Sequence, residues 1–386
     1  MLVIKGGKVV TVTGETINGG VVAVDKGKIV FVGKEYDAPS DAKVINARGK
    51  WVTPGLIDAH THLSDFNDLM DMHSQYDGNE VSDPITPQVR AVDALYPFEN
   101  GIKLARKAGF TTCCTLPGSA NLIGGTGIVF KLKEAQAVGQ MIIPGTEMMK
   151  FALGENPRNC YGMQKKMPTT RMGSAALVRN TLYDAKNYSD ALLAAEKDPS
   201  KAPKPDFKLD ALVPVVRGEM KCRMHAHRAD DIVTHVRIAE EFGLKYSIEH
   251  CTEGWMIPDF LKEHNVTAVV GPLTMSRAKF EIWNRKIEMP GMLENAGINF
   301  MLTEDTNGDT QYLPMHVGLA MGYGLSEKAA FEAVTIRPAK WLDVADRVGS
   351  IEVGKDADLA IFNGHPFSNM TRCQYTIIDG EVYQNF

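Results

Sequence analysis

The sequence contains no apolar stretch of about 18 or more residues, so no segment reads as a membrane span. It also lacks any dense run of Lys and Arg. With 42 basic against 47 acidic residues the formal net charge is −5, and nucleic acid is not an expected partner. No Cys-x-x-Cys pair occurs among Cys113, Cys114, Cys160, Cys222, Cys251 and Cys373, so the spacing gives no zinc-ribbon motif or disulfide framework. These cysteines are read as reduced thiols of a cytoplasmic protein. The opening Met1-Leu2-Val3-Ile4-Lys5 has no basic leader before an apolar core and is not read as a signal peptide. No repeat of about 20–50 residues is present, which excludes solenoids and propellers. Gly124-Gly125-Thr126-Gly127 lacks the spacing and the terminal Lys-Ser/Thr of a phosphate loop.

What is present is a chain of 386 residues, 44% apolar and 23% charged, ample for one large barrel and a small satellite. Its first fifty residues are short apolar runs broken by glycine, the rhythm of an antiparallel meander. The last forty repeat that rhythm, with Asp379-Gly380 as a tight turn. Neither end alone makes more than a thin core, so residues 1–52 and 345–386 are expected to pair into one β-sandwich. Between them, residues 53–344 alternate strand with helix, the pattern of a parallel α/β barrel. Val52–Asp58, Thr111–Leu116, Met141–Ile143, Met148–Gly154, Cys222–His225, Tyr246–Glu249, Thr267–Val270 and Asn299–Thr303 are the eight expected strands. Phe98–Ala108, Ala229–Phe242, Ile257–His264 and Ser326–Thr335 are expected helices. The stretch Asn156–Lys208 exceeds an ordinary connection and carries an amphipathic segment, Leu177–Glu196.

The sharpest signal is Pro54-Gly55-Leu56-Ile57-Asp58-Ala59-His60-Thr61-His62. Side chains alternate along a strand, so His60 and His62 share a face at its end and can hold one ion. Three more apolar strands turn polar at His225-Ala226-His227, Glu249-His250 and Glu304-Asp305. In a barrel those turning points lie on the C-terminal face, where active sites are built. Imidazoles with a carboxylate suit Zn²⁺ or a similar divalent ion.

With a His-x-His after strand one, histidines after strands five and six and an aspartate after strand eight, the chain resembles the amidohydrolase superfamily. Val348-Gly349-Ser350-Ile351-Glu352-Val353-Gly354-Lys355-Asp356-Ala357-Asp358-Leu359 is similar to the tail motif of the imidazolonepropionase-related branch. The resemblance implies a (β/α)₈ TIM-like barrel with a β-sandwich from both termini. It also implies one or two divalent ions, most simply Zn²⁺, on His60, His62, His225, His250 and Asp305. Of two strand-four groups, Glu155 is favoured over Lys150 as a further ligand, because Glu155 lies at the strand end and Lys150 deeper. His227, Arg158 and Arg228 are read as substrate-binding, and the loop Asp77-Gly78-Asn79-Glu80 as a pocket wall or a solvated turn. His73, His235, His264, His316 and His365 are read as ordinary, Glu304 as pointing outward, and Glu249 as facing away from His250. Asp305 is the expected general base and acid in hydrolysis of a cyclic or linear amide by activated water. Deamination of a heterocyclic C=N carbon, or a barrel that has lost catalysis, are the rival readings. A small-molecule substrate is the expected partner, without nucleic acid or membrane, and a homo-oligomer is compatible.

Overall fold

A computed structural model describes residues 1–65, 77–305 and 308–386. His73 lies outside the described residues. The terminal runs form one curled eight-stranded sheet. From the N-terminal side come β1 (Leu2–Val9), β2 (Ile17–Asp25), β3 (Lys28–Gly33), β4 (Lys43–Asn46) and β5 (Trp51–Pro54). The C-terminal side adds β14 (Leu359–Phe362), β15 (Cys373–Ile378) and β16 (Glu381–Gln384), and the two sides join where β14 runs antiparallel to β5. Opposite faces of β1 fill different clusters: Leu2 and Ile4 pack with Leu359 and Ile377, whereas Val3 packs with Val21 and Ala23. Alternating apolar residues therefore cover both faces, as a sandwich requires.

The expected first barrel strand is split at Gly55. Its first half, β5, belongs to the terminal sheet, and its second, β6 (Leu56–Thr61), enters the barrel. A β-carbon at Gly55 would lie 2.1 Å from the Thr111 hydroxyl, so only glycine lets the chain turn from one sheet into the other. The barrel continues through β7 (Phe110–Thr115), β8 (Ile123–Lys131), β9 (Met148–Ala152), β10 (Cys222–Ala226), β11 (Tyr246–His250), β12 (Thr267–Val270) and β13 (Phe300–Leu302), in sequential order.

The third strand differs from expectation. It is Ile123–Lys131 rather than Met141–Ile143, and it runs antiparallel to both neighbours. The connection 116–122 is too short for a crossover helix, so the chain reverses as a hairpin. The glycines that resemble a loop are needed for close approach: a β-carbon at Gly125 would meet the Val89 carbonyl oxygen at 2.2 Å. Ile142 keeps only an isolated bridge to Phe130.

The helices follow their signals closely: α1 is Asn100–Lys107, α5 Ala229–Phe242, α6 Pro258–Glu263 and α9 Glu327–Ala333, with Ser326 accepting the Ala329 N–H as N-cap. The long insertion folds into α2 (Glu155–Met163), α3 (Arg171–Lys197) and α4 (Phe207–Val216), capped by Thr170 and Asp206 where α3 and α4 start. The main core lies between the helices and the outward faces of the strands, where Phe110, Phe151, Ile248 and Phe300 are fully buried. No described helix is long and apolar enough to cross a membrane.

Two polar links close and anchor the barrel. Asp58 on β6 accepts the Thr303 hydroxyl at 2.6 Å and the Glu304 N–H at 3.3 Å, tying the first strand to the last. Lys131, at the base end of β8, is buried against Asp356 (2.7 Å), Asp358 (3.1 Å) and Asp379 of the terminal sheet and its approaches.

Candidate metal centre

The inward face of the barrel carries charged residues in otherwise apolar strands. Arg223 and His225 share a face of β10, Lys150 points inward from β9, and His60 and Asp58 point inward from β6. Glu249 and His250 are adjacent, and strict alternation would send them apart. His250 has φ +67 and Cys251 φ +49, so the strand breaks its pleat there. Both side chains consequently reach the interior, Glu249 below and His250 at the mouth. Asp305 likewise sits at φ +55.

These residues converge. Asp305 Oδ1 lies 3.1 Å from His60 Nε2 and 3.3 Å from His62 Nε2, and Oδ2 lies 3.7 Å from His250 Nε2. Donor atoms of His60, His62 and Asp305 lie within 4.8 Å of one another, and those of His225, His227 and His250 do the same. The Nδ1–H of His60 donates to Glu249 at 2.6 Å, that of His62 to the Leu116 carbonyl at 2.7 Å, and that of His250 to the Gly271 carbonyl at 2.8 Å. With Nδ1 tied in this way, the Nε2 lone pairs are left to face the barrel axis. Neither ring nitrogen of buried His225 has a hydrogen-bond partner. Burial, reinforced by Lys150, lowers His60 to about 3, and burial holds His225 and His227 well below the usual imidazole range. Neutral imidazole is the form that binds a metal. The unpartnered nitrogens and the imidazole–carboxylate donor set fit a divalent ion.

Beneath the cluster lies a fully buried ion pair. Arg223 donates to both Glu249 oxygens at 2.8 Å, and its second NH2 bond goes to the Ala59 carbonyl. Glu249 thus faces into the barrel, behind His60, and does not face away as its alternation implied. Neither it nor Arg223 was singled out as functional from sequence, although charge within Cys-Arg-Met-His and Ser-Ile-Glu-His was the available signal.

At strand four the structure sets Lys150, and not Glu155, beside His60. Lys150 is fully buried and its Nζ lies 2.9 Å from His60 Nε2. Depth along the strand was a poor guide, because the lysine side chain spans the distance its α-carbon lacks. Glu155 is instead the first residue of α2, where its backbone N–H bonds Glu281 at 2.8 Å. Glu304 is buried and its carboxylate turns to His316 on the helix Leu313–Gly322, whose Nδ1 lies 2.5 Å away. Burial pushes Glu304 up to about 7.

The remaining residues fall as follows. His227 Nδ1 lies 2.8 Å from the Thr252 hydroxyl and Nε2 3.8 Å from Glu281. Arg158 stands one turn into α2 with Nε buried and without a hydrogen-bond partner. Arg228 precedes α5 and is engaged bidentately by Asp230 at 3.0 Å. His235 supports the His225 carbonyl, while His264 and His365 pair with Glu240 and Glu327. All six cysteines are free, and Cys113 and Cys114 are packing residues of β7.

A barrel with imidazoles and a carboxylate gathered at its strand ends is the frame of enzymes that work through a bound divalent ion. The Amidohydrolase family model matches residues 51–383, and the chain belongs to that family. It is similar to an amidohydrolase from Thermotoga maritima MSB8 of known crystal structure, at 37% identity and TM-score 0.95 over 100% of both chains. It is 27% identical to amidohydrolase tasK of Hapsidospora irregularis over 90% of this chain, which spans only 38% of that protein's length. It is 28% identical to an imidazolonepropionase of Fusobacterium nucleatum, covering 90% of this chain and 85% of the relative.

Proposed function

We propose that this protein hydrolyses a C–N bond of a cyclic or linear amide in a small molecule, using one or two divalent ions, most simply zinc. The observation that supports it best is the convergence of Nε2 atoms whose Nδ1 partners are already fixed by protein oxygens, beside the unpartnered His225. His60, His62, His225, His250 and Asp305 would hold metal, with His227 within reach of the second group of donors. When bound, such an ion supplies the positive charge that polarises a carbonyl and makes water acidic near neutral pH.

Lys150 replaces Glu155 as the strand-four group in this reading. Burial lowers its ammonium to about 8, so a useful fraction of the amine is neutral near pH 7 and open to reaction with CO₂ to give an anionic carbamate ligand. Asp305 takes the proton of the attacking water as the new C–O bond forms. It then passes that proton to the nitrogen as the C–N bond breaks. Arg158, with a buried unpartnered N–H, would receive an acidic part of the substrate in this reading. Arg228 is already neutralised by Asp230 and contributes less. Glu249 is committed to Arg223 and His60, which leaves it unable to shuttle protons to a heterocycle and favours amide cleavage over deamination. The unpaired thiols suit a reducing, cytoplasmic setting.

The test is a panel of lactams, N-acyl amino acids, dipeptides and aminated heterocycles, assayed with metal-loaded protein beside Asp305→Asn. Amide cleavage by the wild type, lowered about 10²–10⁴-fold in Asp305→Asn with metal retained, is expected. Ammonia released from a heterocycle would move the reading to a deaminase, and a protein without metal affinity would overturn it.

A further inference from the structure

The connection between β12 and α7 (Met289–Ala296) spans residues 271–288. It starts beside His250, whose Nδ1–H is held by the Gly271 carbonyl at 2.8 Å. Its tip reaches the residues just after β9. There Glu281 accepts the Glu155 N–H at 2.8 Å, and Lys279 donates to Asn156 Oδ1 at 3.0 Å. β10 and β11 stand between β9 and β12 in the barrel, so the segment bridges the ends of both. Those ends carry His225, His227 and His250, which are 3%, 4% and 2% exposed. The first donor group is more open, with the Asp305 side chain 15% exposed. The outer leg is tethered to the residues that follow β11. The Asn284 carbonyl accepts the Trp255 indole N–H at 3.0 Å, and Asn284 Nδ2 donates to Glu253 at 2.8 Å. The Lys286 ammonium lies 3.6 Å from the centre of the Trp255 ring.

The tip is organised around one buried carboxylate. Phe280 and Trp283 stand in solvent while Glu281 between them is fully buried. Burial of apolar area alone would favour the reverse, so specific bonds hold Glu281 in. Its Oε2 takes the Glu155 N–H at the N-terminus of α2, and its Oε1 takes Lys279 at 3.2 Å. Oε1 also stands 3.8 Å from His227 Nε2, against the second donor group. The facing wall is shaped to receive it: Gly154 has φ +99, and a β-carbon there would lie 2.6 Å from Glu281 Oε2. Lys279 is steadied in turn, because its partner Asn156 donates from Nδ2 to the Ser119 hydroxyl at 2.7 Å. Glu281 thus joins α2, its own loop and the histidine cluster at a single point.

We propose that residues 271–288 form a lid over the His225–His227–His250 group, with Glu281 as the latch that positions it, so that an ion or a substrate reaches this group only when the Glu281 carboxylate leaves Gly154 and α2. What passes beneath the lid rests on the metal-hydrolase reading; the lid itself does not.

Trypsin tests the latch. Cleavage after Lys279 requires its ammonium to leave Glu281 and Asn156, so the rate follows the population of open lid. In Glu281→Gln the seat loses its charge, and cleavage after Lys279, followed by mass spectrometry, should rise about ten- to a hundredfold. Cleavage after the exposed Lys201, in the long insertion, should stay at its wild-type rate. Zinc exchange tests the gate. An opened lid speeds uptake and release together, whereas a role in holding the ion changes release alone. Glu281→Gln should raise the rate of Zn²⁺ uptake by the metal-free protein and the rate of its loss to a chromophoric chelator by a similar factor, about tenfold or more. Lys279→Met, at a partly exposed position, should raise both severalfold. Unchanged cleavage after Lys279, an equal rise at Lys201, unchanged exchange, or faster release without faster uptake overturns the proposal. A protein that takes up no zinc fails the metal-hydrolase reading, and cleavage after Lys279 then decides the lid by itself.

Discussion

Replacing Glu249 by Gln keeps the shape of a fully buried side chain and removes its charge. The structure assigns that carboxylate two tasks: it neutralises Arg223 through two bonds of 2.8 Å, and it receives the His60 Nδ1–H at 2.6 Å. Arg223 and Glu249 are both 0% exposed, so no water compensates when one charge is lost. Breaking a buried pair by removing one partner costs about 3–5 kcal/mol, against a total stability of about 5–15 kcal/mol. At roughly 1.2 °C per kcal/mol for a chain of this size, thermal unfolding should move down by about 4–6 °C. The second task affects metal. A partner that orients a ligating imidazole is typically worth about 10–100-fold in affinity, and Glu249→Gln should lose that much in competition with a chromophoric chelator. The double variant Arg223→Met with Glu249→Gln separates the two. Removing the orphaned guanidinium should restore most of the unfolding temperature, whereas His60 still lacks its carboxylate and metal affinity should stay low. Wild-type unfolding of Glu249→Gln, or full recovery of metal affinity in the double variant, would refute the reasoning.

The two strand-four groups give a paired test. Lys150→Met should lower bound metal measured by elemental analysis to half or less, whereas Glu155→Gln should leave it within about 20% of wild type, the scatter of a surface substitution. At the base of the barrel, Lys131→Met leaves Asp358 buried without its cation and should cost about 3–5 kcal/mol in urea unfolding at pH 7. The same residue sets an acid limb. Burial opposes ionisation of Asp356, yet bonds from Lys131 and Lys28 prevail and hold it at about 2 against an ordinary 3.8. A depressed carboxyl stabilises fully above 3.8 and loses that contribution as pH falls through about 2. Wild-type stability should therefore drop over that window, and the slope should flatten in Lys131→Met.

Much of the architecture was legible because hydrophobic periodicity and local caps report it. The antiparallel runs β1–β2–β3 and β14–β15–β16, the Ser326 cap and the span Ala229–Phe242 follow from pattern alone, whereas β4 and β5 pair parallel with β1 and depart from the expected meander. The histidines were legible too, since His60 and His62 obey strict alternation at a strand end. What escaped was whatever departs from regularity. Glycines in Gly124–Gly127 signal a loop to any propensity argument, but here they permit backbone contact inside a reversed strand. Positive φ at His250 defeats a face assignment made by counting in twos, which is why Glu249 was placed on the wrong side. Lys150 escaped because α-carbon depth says nothing of where a long side chain ends. Interior charges such as Arg223 are uninterpretable until a partner, 26 positions distant in Glu249, is brought beside them.

The reversed strand β8 begins at the barrel mouth and ends at its base, about 27 Å away at roughly 3.4 Å per residue. Glycine-rich strands specify their pairing register weakly, and Gly124, Gly125 and Gly127 crowd the mouth end. The firm grip is at the opposite pole, where Lys131 is clasped by three aspartates near the chain's C-terminal sheet. β8 therefore works as a strut pinned at its foot. A slip of one residue at the foot would carry Gly124 along with it, and the wall against Lys150 would shift by the same step. The terminal sheet, remote from the chemistry, is in this sense the gauge that sets the width of the mouth.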